Sequence, residues 1–313
     1  MKLSIVTTLY QSDRYIQDFY QRITETAKLL TDSYELVFVD DGSPDNSLES
    51  AVEISQRDDK VKVVELSKNH GHHRAMMVGF AATQGELVFL IDCDLEEAPE
   101  NLALFWKKIH SDQSIDVVYG VQPTDSEAVS IKSRFSKIFY KAFNFFSFAK
   151  IPENELISRL MKRNYIKALL RYNESELFIP GIWVDVGFKR ITLPVEKISD
   201  GFSTYSTKRK ILMAVNAITA FSTKPLIYIF YLGTISSLIS VGIVLYLIAN
   251  KFIFGVDSEG WTSIVASIYL MGSLIIFSMG IIGIYLSRVF SEVKRRPTSI
   301  IKNIYCGGNT LES

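Results

Sequence analysis

The stretch Leu87-Val88-Phe89-Leu90-Ile91-Asp92-Cys93-Asp94-Leu95-Glu96-Glu97-Ala98-Pro99-Glu100 is an apolar run that ends abruptly in carboxylates. Five apolar residues in a row read as a fully buried strand of a parallel sheet, and open α/β sheets bind ligands just beyond the carboxyl ends of such strands. Asp92 and Asp94 therefore fall where a substrate would sit. Spaced i, i+2, they share one side of an extended strand end, and like charges that close need a cation or a proton to relieve them. A hard divalent ion, Mg2+ or Mn2+, shared with nucleotide phosphates is the usual relief. Read blandly, an Asp-x-Asp pair only caps a turn; its place after a buried strand favours the metal.

Strand and helix alternate on either side of this run. Leu3 to Leu9 and Glu35 to Val39 suit buried strands, as does Val61 to Leu66. Tyr15 to Leu30, Ser47 to Gln56 and Arg74 to Thr83 suit helices, the first with Ile16, Phe19, Ile23, Ala27 and Leu30 on one side. Asp116 to Gly120 reads as a further strand. Such alternation implies an α/β fold with parallel strands and right-handed crossovers. The second strand ends in Asp40-Asp41-Gly42-Ser43, so two acidic strand ends lie on one edge of the sheet. A carboxylate there can accept from a nucleobase N–H or a ribose hydroxyl, whereas a lone turn would mean little.

His70-Gly71-His72-His73 holds three of the 4 histidines. A zinc reading lacks an adjacent cysteine or acidic partner. Better suited to a strand-to-helix passage is an anion role, with backbone N–H groups, Lys68 and Arg74 facing phosphate. Cys93 reads as a small buried residue. Asp185, in the otherwise apolar 182–188 stretch, is either a solvated strand edge or a site carboxylate.

The 313 residues exceed a typical single domain, and 34 basic against 34 acidic residues exclude a nucleic-acid binder driven by bulk charge. Residues 225–250 and 260–287 contain no charged side chain, and each is long enough to cross a bilayer, which takes about 20 apolar residues. Residues 131–148 interleave Lys132, Arg134, Lys137 and Lys141 with seven aromatics, a pattern suited to a helix in the membrane interface or to one covering the sheet. The N-terminus lacks the pattern of a secretory signal. Lys208, Arg209, Lys210 and Lys224 precede the first apolar run, and Arg288, Lys294, Arg295 and Arg296 follow the second, so both ends are expected in the cytoplasm. The 2 cysteines are then free thiols.

Taken together, Ser4-Ile5-Val6, Val39-Asp40-Asp41-Gly42-Ser43, Lys68-Asn69-His70-Gly71, Asp92 to Glu100, Arg159-Leu160-Met161 and Phe221 to Leu226 resemble the family 2 glycosyltransferases. Within that family the order is similar to the polyprenyl-phosphate enzymes of the dolichol-phosphate mannose synthase type, over nearly the whole chain. The resemblance implies a GT-A fold (Rossmann-like, mostly parallel sheet) followed by a two-helix transmembrane hairpin. The implied divisions are 1–208 for the catalytic domain, 209–224 for a juxtamembrane helix, spans at about 226–250 and 261–287, and a cytoplasmic tail over 288–313. It also implies a nucleotide-sugar donor, UDP-linked by family tendency, and an undecaprenyl phosphate acceptor. The setting would be a bacterial inner membrane crossed more than once, with homo-oligomers such as tetramers.

Carried over by position, Thr7, Leu9 and Asp40 line the nucleoside with Asp41 close by, and Asp92, Asp94 and Glu96 hold Mg2+ or Mn2+ and the diphosphate. Lys68 and Lys197 fall on the donor side, with Ser203 and Tyr205 near the phosphates; Arg159 and Arg134 are offered to the lipid phosphate. Four departures stand out. Thr7 to Ser12 lacks the usual Pro and Asn-Glu, Glu96-Glu97-Ala98 replaces Gln-Asp-Pro, and the stretch after Gly181 is short. Leu156-Ile157-Ser158-Arg159 stands where relatives carry Gly-Asp-Phe-Arg, so the position of their proposed catalytic Asp holds no carboxylate. Inverting transfer need not fail for that, because a phosphomonoester is already mostly ionised at neutral pH. Two rival readings are a processive polysaccharide synthase, which lacks its Gln-x-x-Arg-Trp stretch here, and a non-catalytic membrane scaffold.

Overall fold

The computed structural model describes residues 1–123, 154–174, 177–197, 224–254, 260–307 and 309–312. The expected interfacial helix at 131–148 and juxtamembrane helix at 209–224, with Arg134, Ser203 and Tyr205, lie outside them, apart from Lys224.

The first half forms as its periodicity predicts. Strands β1 (Leu3–Leu9), β2 (Tyr34–Asp40), β3 (Val61–Leu66) and β4 (Leu87–Leu90) alternate with helices α1 (Asp13–Leu30), α2 (Ser47–Arg57) and α3 (His72–Ala82). They pair in parallel in the order β4-β1-β2-β3, with Leu9 opposite Asp40 and Val6 opposite Leu90. All three crossovers thus deliver their strands' carboxyl ends to one edge. One face of this sheet packs Leu3, Ile5, Leu36, Phe38 and Phe89 against Ile16, Phe19 and Ile23 of α1. On the other face Gly79 lets α3 lie directly on Val6 and Val39; a methyl group there would collide with Val6.

Beyond β4 the chain adds α4 (Leu102–His110), β5 (Val117–Val121), β6 (Glu155–Lys162), α5 (Arg163–Leu169), α6 (Ile179–Asp185) and β7 (Arg190–Pro194). Strand β6 is antiparallel to both β4 and β5, so the sheet is parallel at its centre and mixed towards this side. The 182–188 stretch, open to a strand-edge reading from its apolar content, is largely helical instead. Asp185 ends α6 exposed, accepting from the Tyr172 hydroxyl at 2.9 Å, which accounts for a carboxylate in an apolar stretch.

Helices α7 (Lys224–Phe254) and α8 (Trp261–Val293) occupy both apolar runs. Large apolar side chains stand exposed on each, including Phe230, Leu238 and Leu245 on the first and Ile268, Ile276 and Leu286 on the second. Among the described residues one stretch, Ser267–Val293, is long and apolar enough to cross a bilayer. The other expected span, at about 226–250, falls on α7, several of whose side chains lie outside the described residues.

The segment expected as a tail is instead part of the sheet. Strands β8 (Ile301–Cys306) and β9 (Asn309–Glu312) complete the order β7-β5-β6-β4-β1-β2-β3-β8-β9, β8 running antiparallel to β3. The buried Glu65 carboxylate holds them. It accepts from Lys302 Nζ at 2.6 Å, Asn303 Nδ2 at 2.8 Å and the Tyr305 hydroxyl at 2.7 Å. Although burial opposes it, these partners keep the Glu65 carboxyl below its ordinary pKa. Glu65→Ala should therefore open β8 selectively: hydrogen exchange of its amides is expected to rise about tenfold while β1 and β2 stay protected. Uniform acceleration across the sheet would contradict this local role.

Candidate active site

The site begins where β4 stops. Asp92, Cys93 and Asp94 form a turn in which the Glu96 N–H donates to Asp94 Oδ1 at 3.0 Å, and Leu95 adopts φ +60°, a left-handed conformation that a branched side chain rarely takes. Cys93 is buried, as its apolar character suggests. Burial, then the Asp94 and Glu96 charges, push the Asp92 carboxyl up to about 7, against the pull of Lys197 and Arg159. Asp94 is raised as well, by burial first. Two hard-oxygen donors held at this cost suit a divalent cation. Among the described residues no three His, Cys, Asp or Glu side chains already form a metal cluster.

This pKa shift fixes a sign. Between about pH 4 and 7 the folded chain keeps a proton on Asp92 that the unfolded chain has lost. Asp92 therefore lowers stability progressively as pH rises through that window and adds no further change above it. With EDTA present, unfolding free energy should fall by about 2–4 kcal/mol from this group between pH 4.5 and 8. Asp92→Asn should flatten that portion of the profile; an unchanged profile would refute the shift.

Glu96 is not free to act as a third oxygen ligand in this structure. Its Oε2 pairs with Lys197 Nζ at 2.6 Å, and Lys197 is bridged to Glu97 by backbone pairing. Burial alone would lower the Lys197 pKa, but Glu96, Asp94 and Glu97 raise it. The expected donor-side lysine is thus beside the acidic turn, with its charge engaged by the residue expected on the metal. Glu97 itself is buried, and its Oε2 finds no hydrogen-bond partner among the described residues.

The second acidic strand end divides its work between two faces. Asp40 Oδ2 accepts from the Gly42 and Ser43 N–H groups at 3.1 and 3.3 Å. Its Oδ1 and the Thr7 hydroxyl are both buried without a hydrogen-bond partner among the described residues. Thr7 lies opposite Phe38 and Leu9 opposite Asp40, so the three residues carried over to the nucleoside share one side of two adjacent strands. Unsatisfied buried groups are costly, and a ligand with both donors and acceptors would satisfy them.

Asp41 turns the other way and is consumed structurally. Its two oxygens accept from the His70 and Gly71 N–H groups at 2.6 and 2.9 Å. The backbone donors expected to face phosphate are therefore already taken, while Lys68 stays exposed on the same loop. Gly42, at φ +64°, allows the two loops to touch; a Cβ would fall 2.6 Å from Asn69 N. The three histidine rings part company. His70 Nε2 meets the Ser67 hydroxyl at 3.3 Å, His73 Nδ1 donates to Leu177 O at 3.1 Å, and His72 Nδ1 lies 2.9 Å from Thr8 Oγ1. Burial pushes the His73 pKa down to about 4, which keeps it neutral. His72 Nε2 also stands 3.6 Å from Asp92 Oδ1.

Arg159 is not available to a lipid phosphate as placed. It is fully buried opposite Leu90, with its guanidinium against the face of Trp183. It donates to Ile157 O at 3.0 Å, Leu156 O at 2.7 Å and Glu155 Oε1 at 3.3 Å. Burial lowers its pKa to about 10, still well above neutrality. Sequence reading missed Glu155 and Trp183, whose only signal is that a buried arginine needs an anion and a planar neighbour. It also missed Thr8 and the His72 ring, for which the Gly-His-His pattern was the signal.

Together these strands and helices define an α/β protein of the GT-A type. Residues 4–170 match the model of Glycosyl transferase family 2, and the chain belongs to that family as a glycosyltransferase. A glycosyltransferase from Mycobacterium tuberculosis (strain CDC 1551 / Oshkosh) is 42% identical over 97% of this chain and 89% of its own. The SfII prophage-derived bactoprenol glucosyl transferase of Shigella flexneri is 30% identical over 98% of this chain and 99% of its own. Among solved structures, glucosyl-3-phosphoglycerate synthase from M. tuberculosis in complex with Mn2+, UDP and phosphoglyceric acid matches with a TM-score of 0.45. It is 16% identical over 70% of this chain and 76% of that one.

Proposed function

We propose that the chain transfers a sugar, with inversion, from a UDP-linked donor to undecaprenyl phosphate at the cytoplasmic face of a bacterial inner membrane, for cell-envelope glycan synthesis or modification. The observation that carries this reading is the end-to-end similarity to a bactoprenol glucosyl transferase, which extends through the apolar helices rather than stopping at the catalytic domain. A bound Mg2+ or Mn2+ would supply charge neutralisation to the departing diphosphate, held by Asp92 and Asp94. Thr7, Leu9 and Asp40 orient the nucleoside through the two unpartnered buried groups. Lys197 adds a positive charge beside the acidic turn, and Lys68 one on the neighbouring loop. The acceptor needs no strong base, since its phosphate is mostly ionised at neutral pH, and alignment for attack at the anomeric carbon does most of the work. Apolar helices α7 and α8 anchor the chain in the bilayer that carries the lipid acceptor, with both ends of the chain in the cytoplasm.

Purified full-length protein in detergent, given Mn2+, undecaprenyl phosphate and a panel of UDP- and GDP-sugars, should release nucleoside diphosphate only when the lipid is present. Release with a GDP-sugar alone would correct the donor. Release without lipid would overturn the acceptor, and no release with any donor would favour a non-catalytic scaffold.

A further inference from the structure

We infer that His70 is a positioning residue for donor binding: its ring clasps the chain that leaves α8, its backbone N–H holds Asp41, and along this line the C-terminal segment sets the nucleoside edge. The inference rests on the reading of Thr7, Leu9 and Asp40 as that edge, proposed above. Its parts are distant in sequence: the loop between β3 and α3, the turn after β2, and the residues between α8 and β8. Pairing of β3 with β8 ends with Leu66 opposite Ile301, after a register shift between Glu65 and Leu66. Just beyond, the Ser67 N–H donates to Ile300 O at 2.9 Å. The Ile300 N–H donates in turn to His70 Nε2 at 3.4 Å, the nitrogen that also meets the Ser67 hydroxyl at 3.3 Å. Thr298 adds a backbone hydrogen bond that favours a proton on the ring. A neutral imidazole that accepts at Nε2 carries its proton on Nδ1, so the ring offers this segment both an acceptor and a donor.

The backbone of His70 reaches the site. Its N–H and that of Gly71 donate to the two oxygens of buried Asp41 at 2.6 and 2.9 Å, and the Asp41 N–H donates to Leu9 O at 3.0 Å. The turn that follows is held as closely, since a Cβ on Gly42 would fall 2.6 Å from Asn69 N and 2.9 Å from Lys68 Cα. Displacing the loop therefore displaces the turn whose first residue, Asp40, carries the unpartnered Oδ1. Ser67, Lys68 and Asn69 are exposed, so apolar packing does not fix this loop and its hydrogen bonds must. The contacts at Thr298 and Ile300 supply that restraint from a part of the chain that follows the longest apolar stretch, Ser267–Val293, by only a few residues.

The test uses the full-length protein in detergent with Mn2+, measuring UDP and GDP binding by calorimetry and donor kinetics from nucleoside diphosphate release. His70→Phe keeps a planar ring without either nitrogen, whereas His70→Gln keeps one acceptor and one donor. His70→Phe should weaken nucleotide binding and raise the donor KM by about tenfold, the scale of one hydrogen bond, with kcat changed by less than about twofold. Exchange of the Gly71 N–H should quicken by a similar factor, and His70→Gln should recover most of both losses. Ile300→Pro removes the other partner, so it should match His70→Phe, and the double variant should lose no more than the larger single. Unchanged nucleotide binding and donor KM in His70→Phe would overturn the inference. Equal losses in His70→Phe and His70→Gln with a common fall in melting temperature would overturn it too, as the mark of a merely structural residue. Wild-type protein that binds neither nucleotide would overturn the donor reading itself.

Discussion

Asp94→Ala should cut sugar transfer by about a thousandfold or more while leaving the protein folded and, in EDTA, slightly more stable than the wild type. The two effects have one origin. Asp94 raises the pKa of Asp92 by like-charge repulsion, a cost the metal-free fold carries for having both carboxylates in one partly buried turn. Removing Asp94 relieves that repulsion, so stability at pH 8 should rise by about 1 kcal/mol. It also removes one of the two donors proposed for the cation, and activity is expected to fall with it. Opposite movement of activity and stability marks a functional strain rather than a packing role. Turnover that survives Asp94→Ala would remove the metal assignment, whereas loss of activity together with gross unfolding would mean that Asp94 is structural.

The second large effect is on stability. Arg159→Ala is expected to destabilise the catalytic domain by about 3–5 kcal/mol, because it leaves buried Glu155 with a weakened partner set and opens a void against Trp183. Arg190 still approaches Glu155 Oε1 at 3.4 Å, so the loss should fall short of an entirely unpaired carboxylate. Thermal unfolding in detergent measures it directly. If Arg159 held the lipid phosphate instead, the variant would melt with the wild type and show only a raised KM for undecaprenyl phosphate. Arg159→Lys separates the two further: an ammonium keeps the charge but not the planar fork that serves two carbonyls and a carboxylate at once, so most of the destabilisation should remain.

How legible these features were depends on the range of the interaction concerned. The four parallel strands and three helices were readable because each is fixed by local periodicity: Leu87 to Ile91 is too continuously apolar to be a surface, and α1 repeats its apolar face without a break. Asp92 and Asp94 were readable because burial and charge meet at one point in the chain. Strand β6 was not, since its burial depends on pairing with β4 and β5 rather than on any pattern of its own. Arg159 was misread for the same reason: its partners Glu155 and Trp183 make it structural, and Trp183 lies 24 positions away in the sequence. Asp41 was assigned to the nucleoside side because a carboxylate at a strand end looks alike whichever face it turns to. In the structure these successive residues diverge, Asp40 staying on the side of the sheet that carries Thr7 and Asp41 bonding to the loop that precedes α3.

The pairing of β8 with β3 has a consequence for biosynthesis. Lys302 bonds to a residue made 237 positions earlier, so at roughly 5–20 residues per second the edge of β3 waits on the order of ten to fifty seconds for its partner. Throughout that interval both apolar helices must leave the ribosome while a growing sheet carries an open ladder of N–H and C=O groups, the kind of edge that recruits wrong partners. Strand β8 thus acts as a closing stitch, and a nascent chain stalled before Ile301 would present the cell with a folded sheet whose raw margin at β3 is still exposed.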